Sequence, residues 1–339
     1  PTYVPEDFSH RDSQIRELTY SLKPGLRGVN PLNVLLHGPP ATGKTTAVKF
    51  LFRKVRETSG KLIPVYVNCE DSSTPYAIFS RIYEEIYGVS PPSTGKPLGY
   101  LKERIFHKLK RDDKSLAVAL DEVDRLFLNK TVDEVLISLL KAHSTYGYGR
   151  VGVVGVMLRD DRLTLLDEKT RSVFNPARIY FKPYSRGEIR DILSKRVEYG
   201  FYGEVVSTDV LSKVVDLTLK GGDLRLGIDL LRRSAMIAEG EASKIMEENH
   251  VEEAFSKIKT KEIPEKLSEE KIMLLKTVKE AEDKTSGKIY NEFNRKTGIG
   301  IKKYNKLIKE LEYEGILESE YKKGRGRSRV LRIKTALNL

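Results

Sequence analysis

The chain has 339 residues, of which 39% are hydrophobic and 32% are charged, and its net charge is +12. This length exceeds one ordinary domain, and the apolar fraction excludes a wholly disordered chain. No apolar run approaches the roughly 18 residues of a membrane-spanning helix, and a single cysteine excludes a disulfide framework or a cysteine-rich zinc site. We therefore expect a cytoplasmic protein with no membrane partner.

The first half of the chain predicts an α/β fold with a parallel sheet. Short apolar runs at 34–37, 63–68, 116–120, 151–158 and 179–181 alternate with stretches of helical periodicity. After Pro183 the pattern becomes wholly helical. Ser185 and Glu188 match a capping box, and further helices are predicted at 208–220, 223–239 and 242–257. We predict an α/β domain over 1–184 and a helical domain over 185–260.

The last segment, residues 261–339, predicts a winged-helix domain. Helices at 268–281, 288–296 and 302–313 are followed by strands at 316–321 and 329–333, which flank a basic tip with two glycines. Residues 265–339 hold 19 Lys and Arg against 12 Asp and Glu, so this segment carries more than half of the net charge. Such a charge favours polyanions such as nucleic acid.

Residues 38–45 match the P-loop pattern G-x-x-x-x-G-K-[S/T] in full, between a predicted strand and a predicted helix. In this arrangement loop N–H groups and the helix N-terminus face phosphates, Lys44 reaches the β- and γ-phosphates, and Thr45 ligates Mg²⁺. The residues expected to contact ATP or ADP here are Gly38, Pro39, Pro40, Ala41, Thr42, Gly43, Lys44, Thr45 and Thr46.

A second motif, Asp121 and Glu122, ends the apolar run at 116–120. Carboxylates at this end of a parallel strand lie where α/β sheets bind ligands. We expect Asp121 to hold Mg²⁺, largely through water, and Glu122 to orient and deprotonate the attacking water. The alternative is that both acids merely begin a solvated loop.

The ordered set of features resembles the AAA+ superfamily and, within it, the archaeal origin-recognition and cell-division-control type of replication initiator. The resemblance spans essentially the whole chain. Besides the two motifs and the winged helix, it rests on His10, Arg11 and Asp12; on Asn68, Cys69, Glu70, Thr74, Pro75 and Tyr76; on Pro183 and Tyr184; and on residues 221–225.

This resemblance implies further site residues. Arg225 matches the sensor-2 arginine, which reaches the phosphates from the helical lid; an alternative is a pair with Asp229 one turn later. His10, Arg11 and Tyr184 match segments that pack near the nucleotide. Residues 87–101 match an insertion that touches DNA in the family, and a solvated loop is the alternative there. The candidate DNA contacts in the insertion are Ser93, Thr94 and Lys96.

Two departures from the family pattern bear on catalysis. The fourth strand of the family ends in a polar sensor, usually Asn, whereas this chain has Met157 and Leu158, with Arg159 or Asp160 as nearby substitutes. Where the family carries a trans-acting arginine, this chain has Lys169 and, two residues later, Arg171. Both departures predict tight nucleotide binding and slow ATP hydrolysis.

The winged helix predicts contacts with duplex DNA. The third helix of this fold enters the major groove, and the wing follows the backbone or the minor groove. Leu307, Ile308 and Leu311 are expected to face the domain core, and a protein-binding winged helix is the alternative. The predicted DNA contacts are Lys302, Lys303, Tyr304, Asn305 and Lys306 in the helix, and Lys322, Lys323, Arg325, Arg327 and Arg329 in the wing.

Three functional hypotheses follow. The first is a nucleoid-associated replication-origin initiator that binds ATP or ADP and origin DNA, with paralogous initiator subunits and the replicative helicase as further partners. The second is a nucleotide-regulated transcription regulator, which would bind promoter sites. The third is an AAA+ remodelling ATPase that forms hexamers and acts on protein; it requires fast turnover and leaves the basic wing unexplained.

Overall fold

The computed structural model describes residues 9–92, 95–260, 267–281, 285–313, 316–322 and 328–333. The chain forms two compact units, one up to Asp229 and one from Leu230. The division falls inside the predicted helical domain, so the domain boundaries at 184 and 260 stay a prediction. Within the described ranges, no helix is both long and apolar enough to cross a membrane.

Helices and strands alternate through most of the first unit. Its elements are α1 (Asp12–Leu26), β1 (Val34–His37), α2 (Lys44–Thr58), β2 (Leu62–Asn68), α3 (Pro75–Tyr87), α4 (Leu98–Arg111), β3 (Ser115–Asp121), α5 (Asp124–Leu128), α6 (Val132–Leu140), α7 (Ala142–Tyr146), β4 (Val151–Met157), a 3-10 helix (Asp160–Leu165), α8 (Glu168–Val173), β5 (Ala177–Tyr180), α9 (Arg186–Gly200) and α10 (Thr208–Gly221). The helix α11 (Leu224–Gly240) continues into the second unit.

The five strands form one parallel sheet in the order β2-β3-β4-β1-β5. This confirms the predicted α/β fold class, and each predicted strand begins and ends within two residues of the observed one. Every residue of β3 and β4 is buried, as expected for central strands of a sheet that is covered on both faces. The carboxyl ends of β1 and β3 therefore emerge at the same edge, where the two sequence motifs lie.

Alternate residues of the strands contribute to two separate cores. Leu35 of β1 packs into a cluster with residues of α3, α4 and α6, whereas Val34 and Leu36 pack with α1 and α2 on the opposite face. This alternation follows from the two-residue period of a strand. Because α2 packs into that second core, the position at which the preceding loop enters the helix is fixed.

A buried arginine attaches the beginning of α1 to this loop. Arg11 is fully buried; its Nε donates to the Thr42 carbonyl at 3.0 Å, and an Nη donates to the Lys182 carbonyl at 2.7 Å. Its guanidinium lies 3.8 Å from the centre of the Tyr184 ring. Both acceptors are backbone carbonyls, so the fork of Arg11 fixes the relative positions of the P-loop and the segment after β5.

The helical region confirms the capping box of Ser185 and Glu188 at the start of α9. The last predicted helix of this region is wrong at its start, because α12 (Glu248–Thr260) begins six residues later than expected. Ala242 has a left-handed φ of 56°, and the Ser243 hydroxyl donates to the Ile245 carbonyl at 2.8 Å. A local turn therefore replaces the predicted first turns of that helix.

The second unit ends in the predicted winged helix. Its elements are α13 (Glu269–Glu280), α14 (Ser286–Thr297), α15 (Ile301–Tyr313), β6 (Leu317–Lys322) and β7 (Ser328–Ile333), with β6 and β7 paired antiparallel. Leu307, Ile308 and Leu311 lie in the core, as predicted. The prediction that Tyr304 contacts DNA is wrong, because this side chain is 1% exposed and its hydroxyl donates to the Ser286 carbonyl at 2.9 Å.

We expect Arg11→Ala to lower the stability of the first unit by about 3 kcal/mol, because buried carbonyls lose their charged donor. In a unit of this size, that loss lowers Tm by roughly 6–12 °C. Arg11→Lys should recover only part of it, since an ammonium cannot reproduce the planar fork. Arg16→Ala, on the exposed side of α1, is the control; equal melting curves for all the variants would contradict this role of Arg11.

We expect Tyr304→Ala to destabilise the winged helix by about 3–5 kcal/mol, as for other large buried aromatic residues. Tyr304→Phe should cost only about 1 kcal/mol, the contribution of the hydroxyl hydrogen bond. Urea denaturation followed by circular dichroism measures both values. The control is Ile301→Ala, since Ile301 is 47% exposed; a Tyr304→Ala variant as stable as this control would place Tyr304 on the surface.

Candidate functional site

The P-loop connects β1 to α2 through a turn that requires glycine at its two ends. Gly38 has a φ of 141°, and a Cβ at this position would lie 2.3 Å from the Phe181 carbonyl oxygen. Gly43, the residue before α2, has a φ of 94°. The backbone conformation thus explains both glycines of the motif. The loop ends at a 15-residue helix, and the first N–H groups of this helix, which have no intrahelical acceptor, are available to an anion.

Lys44 is folded back over the loop. Its Nζ donates to the Gly38 carbonyl at 2.7 Å and to the Pro39 carbonyl at 2.6 Å. Burial lowers the pKa of Lys44 to about 8, and the charge of Asp121 partly opposes this shift. An ammonium that is desolvated and bound to neutral carbonyls is well prepared to bind the negative charge of a phosphate.

Thr45 and Asp121 meet across the gap between α2 and β3. The Thr45 hydroxyl donates to Oδ2 of Asp121 at 2.8 Å, and the carboxylate is 3% exposed. A hydroxyl and a carboxylate are oxygen ligands of the kind that Mg²⁺ prefers. The donor set therefore fits the Mg²⁺ site predicted for Thr45 and Asp121.

Tyr66, which no sequence motif indicated, is a third residue at the Asp121 carboxylate. Its hydroxyl donates to the same Oδ2 of Asp121 at 2.6 Å. Tyr66 lies on β2, next to β3, and two residues before Asn68, which pairs with Asp121 in the sheet register. The period of a strand would have placed Tyr66 on the face of α2, but only the pairing of β2 with β3 brings it to Asp121.

Glu122 follows Asp121 in a strained backbone conformation. Its φ is 53°, a left-handed value that is uncommon outside glycine. Its N–H donates to Oδ1 of Asp121 at 3.0 Å. Burial raises the pKa of Glu122, and the neighbouring charges of Glu70 and Asp121 raise it further. A carboxyl group whose pKa is raised in this way is a better proton acceptor, as a general base requires.

Arg225, in the first turn of α11, is exposed, and its charge acts on the same site. Its charge contributes to the lowered pKa of Lys44 and opposes the raised pKa of Glu122. The first turn is held locally, because the Arg225 N–H donates to Asp223 at 2.7 Å. The structure thus brings Lys44, Asp121 and Glu122 to one site, and the charge of Arg225 acts on Lys44 and Glu122 although more than 180 positions separate Lys44 from Arg225 in the sequence.

Three residues expected near the nucleotide also have structural partners. Arg11 has no exposed surface and positions the P-loop through Thr42, so it lies beside the site, and its role toward the nucleotide stays a prediction. Tyr184 is 9% exposed and stacks against Arg11. His10 lies 3.3 Å from Asp191 on α9. These contacts join the N-terminal segment to the P-loop and the lid.

The end of β4, where the family carries a polar sensor, is held by hydrogen bonds to Asp124 and to the P-loop. Asp124, 2% exposed, accepts a hydrogen bond from the Leu158 N–H at 3.1 Å and lies 3.3 Å from Arg162. The Leu158 carbonyl accepts one from the Gly38 N–H at 3.2 Å. The suggested substitute Arg159 is exposed and paired with Asp161. The end of β4 therefore contacts the P-loop through its backbone.

Two further sets of predicted residues lie on the surface of the first unit. Lys169 and Arg171 are exposed on the short helix α8. Lys96 is also exposed, with its Nζ 5.1 Å from the centre of the Tyr100 ring. Ser93 and Thr94, the other candidates in the insertion, lie outside the described residues.

The third helix of the winged helix presents a basic face. Lys302, Lys303, Asn305 and Lys306 are exposed along α15. Lys303 is paired with Glu270 of α13, and Lys306 lies 3.9 Å from Glu310. This face alternates with the buried one that contains Tyr304, as the helical period requires.

The wing is described only in part. Arg329 is directed toward α15, where it contacts Glu312 at 2.7 Å. Its side chain is 20% exposed, so Arg329 contributes less to an outer surface than expected. Lys323, Arg325, Arg327 and the side chain of Lys322 lie outside the described residues.

Two protein families match this chain. Residues 7–149 match the AAA ATPase domain, and residues 190–256 match the Cdc6 AAA+ ATPase-type lid domain. The first match contains the P-loop and the Asp121 site, and the second contains Arg225. Together they cover the parts of the chain that form the site.

Individual proteins match over nearly the full length. ORC1-type DNA replication protein 6 of Halobacterium salinarum is 42% identical over 98% of this chain and 90% of its own length. ORC1-type DNA replication protein 2 of Methanosarcina acetivorans is 40% identical over 98% and 91%. The structure of the Aeropyrum pernix ORC1 protein in complex with DNA matches with a TM-score of 0.79 and 29% identity, over 98% of this chain and 91% of that one. The chain therefore belongs to the family of ORC1-type DNA replication proteins.

Proposed function

We propose that this protein is a replication-origin initiator that binds ATP or ADP with Mg²⁺ and duplex origin DNA. The observation that carries the proposal is the cluster of Lys44, Thr45, Asp121 and Arg225 in a chain that also ends in a basic winged helix. Its relatives are ORC1-type DNA replication proteins, and a related structure contains DNA. Association with the nucleoid, paralogous initiator subunits and the replicative helicase belong to the same proposal.

The nucleotide is assigned to the edge of the sheet at which β1 and β3 end. Lys44 and the first turn of α2 bind phosphate oxygens, Thr45 and Asp121 hold Mg²⁺, and Arg225 closes the site from the lid. Mg²⁺ neutralises charge on the phosphates when it is bound. Arg11 holds Thr42, and therefore the loop, in place for this binding.

The rate of hydrolysis is proposed to be slow. Glu122 has the raised pKa of a general base, but Met157 and Leu158 end the strand at which the family carries a polar sensor. A nucleotide that is bound firmly and turned over slowly suits a switch that sets DNA affinity, whereas a protein-remodelling motor needs rapid turnover. The enzyme activity proposed is therefore a weak conversion of ATP and water to ADP and phosphate.

The DNA is assigned to α15 and to the wing. Lys302, Asn305 and Lys306 lie on the exposed face of the helix that enters the major groove in this fold. The lysines would anchor phosphates, and Asn305 has the amide that pairs with adenine. Arg325 and Arg327 of the wing are proposed to follow the backbone or the minor groove, on the basis of the sequence alone.

We expect Lys44→Ala to weaken ADP binding about 10- to 100-fold, the effect of removing a charged hydrogen-bond donor. Isothermal titration calorimetry with ADP and excess Mg²⁺ measures the loss. Lys54→Ala is the matched control, since Lys54 lies on α2 but pairs with Glu57 at the surface. Unchanged ADP binding by Lys44→Ala, or equal losses of affinity in both variants, would contradict the assignment of the nucleotide to the P-loop.

We expect Lys302→Ala to weaken DNA binding for all sequences and to lower the salt slope of the affinity by about one, the effect of one phosphate contact. Fluorescence anisotropy with a duplex, repeated from about 50 to about 200 mM salt, measures both quantities. The control is Lys276→Ala, an exposed lysine on α13. An unchanged slope would mean that α15 does not face the phosphates.

A genome-wide footprint of the purified protein, with ATP and with ADP, tests the biological assignment. We expect the bound sites to cluster at regions where replication starts. Binding confined to promoters would support the transcription-regulator alternative. An even distribution, together with rapid ATP turnover and a hexameric mass, would instead support a remodelling ATPase.

A further inference from the structure

The Asp121 carboxylate is held by more partners than the two sequence motifs supply. Its Oδ2 accepts from Thr45 at 2.8 Å and from the Tyr66 hydroxyl at 2.6 Å, while its Oδ1 accepts the Glu122 N–H at 3.0 Å. Thr45 and Glu122 are members of the two motifs. Tyr66 comes from a different strand, and no feature of the P-loop or of the Asp-Glu pair requires it.

Tyr66 is itself fixed by the elements around it. It lies on β2 in parallel register with β3, and its ring packs at the edge of the core formed with α1 and α2. The Lys49 ammonium of α2 lies 4.6 Å from the centre of that ring. The ring is therefore anchored to the P-loop helix, so its hydroxyl has a defined position relative to both Thr45 and Asp121.

The chemistry of the contact makes Tyr66 a donor only. The Tyr66 hydroxyl lies 2.6 Å from Oδ2 of Asp121, and a carboxylate oxygen accepts hydrogen bonds. The phenol O–H therefore donates to Oδ2. A phenol that served packing alone would not need a carboxylate as its partner, since its hydroxyl could reach solvent from a partly exposed position.

We propose that Tyr66 is the positioning residue of the Mg²⁺ site: its hydroxyl holds the Asp121 carboxylate in the rotamer that faces Thr45, without contacting nucleotide itself. This inference rests on the proposed function. Partners that hydrogen-bond to a metal-ligating carboxylate orient it, and their loss commonly lowers metal affinity about 10- to 100-fold. Without the hydroxyl, the Asp121 side chain gains rotational freedom. Metal binding must then order this side chain, and the conformational entropy lost in doing so weakens the binding.

The experiment measures how strongly Mg²⁺ increases ADP affinity. Wild type, Tyr66→Phe, Asp121→Asn and the double variant are titrated with a fluorescent ADP analogue, once with excess Mg²⁺ and once with EDTA. Tyr66→Phe keeps the ring and its contact with Lys49, so a thermal melt should confirm an intact fold. Tyr20→Phe is the control, because Tyr20 is 72% exposed on α1 of the same unit.

For Tyr66→Phe we expect ADP affinity in EDTA to stay within about twofold of wild type, and the increase due to Mg²⁺ to fall about tenfold. The double variant should lose no more than Asp121→Asn alone, since Tyr66 acts through Asp121. An undiminished effect of Mg²⁺, or an equal loss with and without the metal, would overturn the inference. If wild type bound no ADP at all, the proposed function would fail first, and that outcome is distinct from these.

Discussion

The hydrogen bond between Thr45 and Asp121 is the interaction on which the rest of the site depends. It joins the first turn of the P-loop helix to the carboxyl end of a fully buried strand, two elements that are each fixed by a different part of the sheet. The two motifs therefore meet at a constant distance. This arrangement presents a hydroxyl, a carboxylate and an ammonium to one small volume, which is the requirement for binding a metal-complexed polyphosphate.

Buried charge around the P-loop is stabilised mainly by backbone groups. Lys44 and Arg11 donate to carbonyls of the loop and of Lys182, and Asp124 accepts from the Leu158 N–H. The hydrogen-bond partners of Lys44 and Arg11 are neutral carbonyls, so the ammonium of Lys44 keeps positive charge with which to attract an anionic ligand. The loop is thus held in its shape by contacts from both sides, which lowers the ordering cost of ligand binding.

The winged helix separates its two roles onto two faces of α15. Tyr304, Leu307 and Ile308 form the core face, while Lys303 and Lys306 lie outside near acids of the same domain. If DNA binds this face as we propose, its phosphates must compete with Glu270 and Glu310 for the lysines. That competition would lower the net gain from each phosphate contact and give contacts with base edges more relative weight.

The sequence alone determined the five strands of the parallel sheet, the winged helix and the residues of both motifs, because strand and helix periods and the P-loop pattern are local properties. Through the family resemblance it also predicted that Arg225 acts at this site. Only the tertiary structure decided that Tyr66 meets Asp121, that Arg11 binds Thr42 and Lys182, and that Tyr304 lies in a core. Each of these depends on contacts between segments distant in the chain or on which face of a helix is covered, and a local pattern carries no information about the partner across that contact.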